Sequence, residues 1–176
     1  MKPIPALLLA AVTAAGCSTT YPRGEPVTKA FPSVKGSSLA GKEVAIPTDL
    51  AGKPALLFVG YEQMTQFDID RWLLALQASG VSVPAYELPT IPGLVPGLFA
   101  GRIDAGMRSG IPSEEWASVI TIYGDASKVA EFLGNENRLP ARVVLLDPAG
   151  KVVFFHDRGF SPAALESLRG ALQALR

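Results

Sequence analysis

The run Ala55-Leu56-Leu57-Phe58-Val59-Gly60 contains no polar side chain. A strand of that kind stays out of water only when other layers cover both of its faces, as in a sheet with parallel connections. A one-sided sheet would alternate polar and apolar residues instead, so helices are expected above and below this one. The first follows at once: Phe67, Ile69, Trp72, Leu73 and Leu76 recur at helical spacing, and Gly80 supplies the stop. Val81 to Leu88 reads as a second strand, edge-like or irregular because of Pro84. Farther on, Ser118–Tyr123 is expected as a strand, Ser127–Leu133 as a short helix and Arg142–Asp147 as another buried strand. The turn Pro148-Ala149-Gly150-Lys151 joins that strand to Val152–His156 as an antiparallel hairpin. Ser161-Pro162 opens a closing helix with Leu165, Leu168, Leu172 and Leu175 on one stripe.

The N-terminus is a different kind of sequence. Lys2 and the apolar run Ile4–Ala15 form the charged and hydrophobic regions of an export signal, too short to span a bilayer as a helix. It ends in Ala14-Ala15-Gly16-Cys17, which resembles the bacterial lipobox, where signal peptidase cuts before a cysteine that carries a diacylglyceryl group. Cys17 is the chain's single cysteine. Residues 1–16 are therefore expected to be a lipoprotein signal, with the bilayer as a partner through acylated Cys17. Ser18 resembles the sorting residue of outer-membrane lipoproteins, so the expected location is a periplasm-facing anchor, the outer membrane slightly favoured. Residues 17–42, rich in Ser, Thr, Pro and Gly, read as a flexible tether reaching roughly 25 to 30 Å, and residues 43–176 as the folded domain.

Charge and metal chemistry narrow the functions. The chain has 16 basic and 16 acidic residues and a net charge of zero, which removes the electrostatic case for nucleic acid. One His and one Cys leave no site for a metal held by several Cys or His ligands, and no cofactor is expected.

The order β, α, β, insertion, β, α, β, β, α resembles that of thioredoxin-like proteins. The segment Leu139-Pro140-Ala141 before the strand Arg142–Asp147, then Gly150 and Gly159, is similar to that family's run of cis-proline, strand, Asp and Gly. The resemblance implies an α/β fold with a central mixed sheet flanked by helices, Pro140 after a cis bond, and a redox pair between the first core strand and its helix. Here Gln63 and Gln66 stand about where the two cysteines would be, so the redox pair is missing. A narrower resemblance, carried by Pro89-Thr90-Ile91-Pro92, the run Ile103–Pro112, Leu145-Leu146-Asp147 and Gly150-Lys151-Val152, is to mitochondrial assembly factors for the membrane sector of F-type ATP synthase. It implies a membrane-protein client.

The insertion, residues 89–117, is too long for a plain connection and is expected to be a small structured element. Arg102, Asp104 and Arg108 among Gly101, Gly106 and Gly110 admit two readings: a recognition loop, because guanidinium suits oxyanions, or an internal salt-bridge cluster that ties the insertion down. With Met107 they are the candidate partner-binding residues. Glu62 and Asp68 flank the former redox corner, with Thr65 or Asp68 read as a helix cap. His156 reads as a strand terminus. Two functions follow: a lipid-anchored, redox-inactive module that binds or helps assemble a membrane protein, or an enzyme or small-ligand receptor built on Arg102, Asp104 and Arg108.

Overall fold

The computed structural model describes residues 19–93 and 99–176. The export signal, Cys17, Ser18 and the insertion residues Leu94 and Leu98 lie outside them.

Strand β3 (Ala55–Gly60) is buried along its whole length. It pairs in parallel with β4 (Ala85–Pro89) and antiparallel with β6 (Arg142–Leu146), which pairs antiparallel with β7 (Val152–His156). A second group has the order β2 (Glu43–Ile46), β1 (Val34–Ser38), β5 (Ile120–Thr121), with antiparallel pairing throughout. Parallel bridges Glu87 to Val119 and Thr90 to Ile122 join β5's segment to β4 and unite the groups into one mixed sheet. Alternation along β3 sorts the core into two layers. Leu57 and Val59 pack with Phe31, Val34, Ile46 and helix α3 (Ala126–Leu133), whereas Leu56 and Phe58 pack with helices α1 (Gln66–Ala78) and α4 (Pro162–Gln173). Ser161 caps α4 through its side chain, which accepts from Ala164 N, with Pro162 at the first helical position.

Three expectations need correction. Residues 19–42 are not a flexible tether. Tyr21 and Asn135 exchange hydrogen bonds, Thr28 N donates to Val152 O at 2.8 Å, Phe31 N donates to Gly150 O at 3.0 Å, and Val34–Ser38 is a sheet strand. Composition misled because this segment docks mainly through its backbone, which Pro- and Gly-rich sequence permits; the apolar clues were Phe31, Val34 and Leu39, all buried. The domain thus begins by Thr19, well before residue 43. The expected cis bond at Leu139–Pro140 is absent: the cis peptide among the described residues is Ile46–Pro47. Finally, the insertion holds the structured element expected of it, but the segment with Arg102, Asp104 and Arg108 is helix α2 (Ala100–Gly110) and not the recognition loop that was one of its two readings.

Candidate functional site

Two regions hold the residues singled out above. The first is the corner where β3 ends and α1 begins. A 3₁₀ turn, Gln63–Thr65, leads into α1, and Gln63, Met64, Gln66 and Phe67 are all exposed. Met64 and Phe67, three residues apart, are 58% and 62% exposed, large values for apolar side chains. Leu139, next to the Arg138 whose carbonyl accepts from Thr65, is 54% exposed.

The framework beneath is rigid and polar. Asp68, buried in the first turn of α1, accepts from Ala141 N at 3.0 Å and Phe160 N at 2.7 Å, which clamps the helix to the start of β6 and to the loop before α4. It is a strap between loops rather than a helix cap, and Glu62 at the same corner is exposed. Thr65, at the N-cap position, makes no capping bond; its hydroxyl donates to Arg138 O at 3.1 Å. Arg142, buried at the head of β6, donates to Gly134 O at 3.1 Å and Pro140 O at 2.8 Å, so its guanidinium closes the base of the 134–140 loop. The same group lies 4.8 Å from the centre of the Tyr61 ring. Burial pushes the Tyr61 phenol well above its usual range, against the pull of Arg142 and Arg138, and its hydroxyl has no hydrogen-bond partner among the described residues. Pro140, whose carbonyl Arg142 holds, is joined to Leu139 by a trans bond and not by the expected cis one. His156 ends β7 within 2.7 Å of Gly159 O, edge-on to Trp72, and takes the structural place expected of it. Burial raises the Glu87 carboxyl on β4, offset by a hydrogen bond from Gln66.

The second region is the insertion. Asp104 is buried and accepts from Tyr123 Oη at 2.8 Å, and burial together with that bond raises the Tyr123 phenol. Arg108 Nε donates to Leu39 O at 2.7 Å, while its guanidinium lies 5.7 Å from the Trp116 ring centre. Trp116 in turn donates to Ile111 O at 2.9 Å. Asp104 and Arg108, four residues apart, lie on the inner face of α2 and tie it to the sheet. Arg102 falls on another face, exposed, and Met107 is half-buried. The expected cluster is thus divided: the tie-down role is real, but the partners are Tyr123 and a backbone carbonyl, not an Arg–Asp salt bridge. Sequence spacing had no means of finding Tyr123 or Leu39, which are distant in the chain.

No family model matches the chain, and no curated protein matches it. Solved structures do. A SCO1/SenC family lipoprotein from Bacillus anthracis superposes with a TM-score of 0.59 at 13% identity, over 88% of this chain and 100% of that one. The chain has the thioredoxin-like fold. A thiol peroxidase from Chromobacterium violaceum gives a TM-score of 0.54 at 15% identity, covering 90% of this chain and 93% of that one. A member of the Sco family of cytochrome c oxidase assembly proteins gives 0.57 at 12% identity, covering 86% and 96%. This is the fold inferred from the strand order and the Pro140-to-Gly159 residues, without a redox cysteine pair, since Cys17 is the chain's single cysteine.

Proposed function

We propose that this chain is a lipid-anchored thioredoxin-like module that binds a membrane-protein client and assists its assembly without thiol chemistry. The observation that carries the reading is the corner: where the fold offers a redox pair, this chain offers Gln63 and Gln66, flanked by exposed Met64, Phe67 and Leu139 and held in place by buried Asp68 and Arg142. Thiol exchange and thiol peroxidation both need a thiolate, and no residue after Cys17 can supply one. Exposed apolar side chains on a rigid base are instead suited to gripping another protein. Anchorage rests on the lipobox-like Ala15-Gly16-Cys17 behind the Ile4–Ala15 run, and in this reading the domain faces the periplasm from the outer membrane.

Similar structures include a lipoprotein and a member of an assembly-protein family, and they support this class of function at the level of fold. The narrower likeness to ATP synthase assembly factors names a first client to try, a subunit of the ATP synthase membrane sector. The alternative, a small-ligand or catalytic site on Arg102, Asp104 and Arg108, is weakened because Asp104 and Arg108 are already engaged within the fold.

The test is affinity capture from detergent-solubilised native membranes. The intact chain is expected to retain an integral membrane protein, and a Met64→Ser, Phe67→Ser, Leu139→Ser variant is expected to lose it. In parallel, the Cys17→Ser chain is expected to show no disulfide reduction and no peroxide turnover. Capture unaffected by the triple substitution, or turnover in either assay, would overturn the proposal.

A further inference from the structure

We infer that the domain is held corner first against the bilayer by a very short leash, and that the headgroup layer is the surface on which Met64, Phe67 and Leu139 rest. This deepens the reading above and depends on its lipid anchor at Cys17.

The leash is short because of Asn135. This side chain, 2% exposed, clasps the start of the described chain: its Oδ1 accepts from Tyr21 N at 2.7 Å and its Nδ2 donates to Thr19 O at 3.1 Å. Its backbone N–H donates to Tyr21 O at 3.0 Å. Gly134 beside it has φ of 83°, and a Cβ there would lie 2.5 Å from Pro22 O, so the strap passes directly over a position that only glycine leaves open. Arg23 extends the hold through an ion pair to Asp157 at 2.9 Å and its place 5.1 Å from the centre of the Phe155 ring. With Thr19 fixed, Cys17 is two residues away, about 7 Å at full extension. A free coil running to residue 42 would have allowed roughly 25 to 30 Å.

The direction follows from what the clasp adjoins. Asn135 begins the loop that Arg142 closes between Gly134 O and Pro140 O, and Leu139 stands four residues on, at most about 14 Å away. The Thr65 hydroxyl bonds to Arg138 O in that loop, which brings Met64 and its neighbours to the same end of the molecule. That end is therefore the one nearest the acyl chains. Polar headgroups occupy roughly 5 to 8 Å on each side of the hydrocarbon core, comparable to the leash, so the clasp is held at their level. Apolar side chains at that depth add to the anchorage given by the acyl chains. A client then reaches the corner from within the plane of the membrane, displacing lipid. The opposite pole, with a groove of about 460 Å³ between Gly80–Pro84 and Arg169–Arg176, faces away from the bilayer.

The test couples the thiol of Cys17, in the chain starting at that residue, to a maleimide lipid in phosphatidylcholine vesicles that carry a nitroxide headgroup quencher. A fluorescent amino acid is placed in turn at Leu139, Phe67 and Ser82, the last an exposed residue at the far pole. Strong quenching at positions 139 and 67 with little at 82 is expected. A Gly-Ser linker of about 20 residues between Ser18 and Thr19, which leaves the clasp untouched, is expected to abolish the contrast. Equal quenching at all three sites would overturn the orientation, and a contrast that survives the linker would overturn the leash as its cause. Because coupling is chemical, this outcome is separate from the lipoprotein reading, which mass spectrometry of the native N-terminus tests: an unmodified Cys17 sinks that reading alone.

Discussion

The corner at the head of α1 and the insertion that carries α2 dispose of their side chains in opposite ways. In the insertion two polar groups turn inward, Asp104 to Tyr123 and Arg108 to Leu39 O, and attach one helix to the rest of the fold, while Arg102 and Phe99 stay exposed. At the corner the polar groups that turn inward, Asp68 and Arg142, are matched by apolar groups that turn outward, Met64, Phe67 and Leu139. A buried carboxylate or guanidinium is satisfied only by specific partners, so it fixes geometry; an exposed Phe or Met gains nothing from the fold and has its use elsewhere. Charged residues in a Gly-rich segment drew attention to the insertion, whereas the proposed binding face is the corner, where exposed apolar side chains stand over a buried polar framework.

The largest stability effect is expected at Asp68. Asp68→Ala leaves the N–H groups of Ala141 and Phe160 without their acceptor, a loss of about 3 kcal/mol for bonds to a charged group, read as a Tm fall of about 6 to 12 °C. A fall of only a degree or two would mean that the corner is not held as described. Next comes Asp104→Ala, which takes from the Tyr123 hydroxyl its 2.8 Å acceptor and leaves it the longer 3.4 Å approach to Ala100 O, and should lower stability by about 1 to 3 kcal/mol. Tyr123→Phe made in the Asp104→Ala background should add little, and the double-mutant cycle measures that coupling. Additive losses would show that the two side chains do not depend on one another.

A smaller effect, with a distinctive pH signature, is expected at Glu87. Burial raises its carboxyl above the usual range, so the folded chain holds the proton more firmly than the unfolded one. The group therefore favours folding at low pH, and that contribution is lost as pH rises through the ordinary value and then the raised folded value. Glu87→Gln should be more stable than the parent at neutral pH, with the gap closing in acid; thermal melts across pH 3 to 8 would show it. Least of all, the Met64→Ser, Phe67→Ser, Leu139→Ser variant and Arg102→Ala should each melt within about 0.5 kcal/mol per substitution of the parent, as exposed positions do. Their difference is expected in client capture alone, lost in the first and kept in the second.

Much of this architecture is legible in the sequence because periodicity reports burial. The β3 run, the α1 stripe, the β6–β7 hairpin and the Ser161-Pro162 cap all coincide with the structure. What stayed hidden was contact made by backbone or by residues far apart. The strap from Thr19 to Phe31 is held by main-chain bonds and by Asn135, whose side chain looks like any loop asparagine until Tyr21 is placed beside it. Strands β1 and β2 escaped because VKGSS and EVAI are short, and the former is rich in Gly and Ser. At the site, the stretch holding Gln63 and Gln66 and the segment holding Pro140 were legible as sequence, while their approach was not, since the Thr65 hydroxyl reaches Arg138 O only through the fold of the 134–140 loop.

The central claim, that this thioredoxin-like chain works through its corner on a membrane protein, is tested most directly by site-specific photocrosslinking in native membranes. A photoreactive amino acid is placed at Gln63 in one strain and at Arg102 in another, both exposed and both outside the core. The account predicts a discrete crosslink to an integral membrane protein from position 63 and none from position 102. A crosslink from position 102 with none from position 63 would contradict it and return the binding face to the insertion.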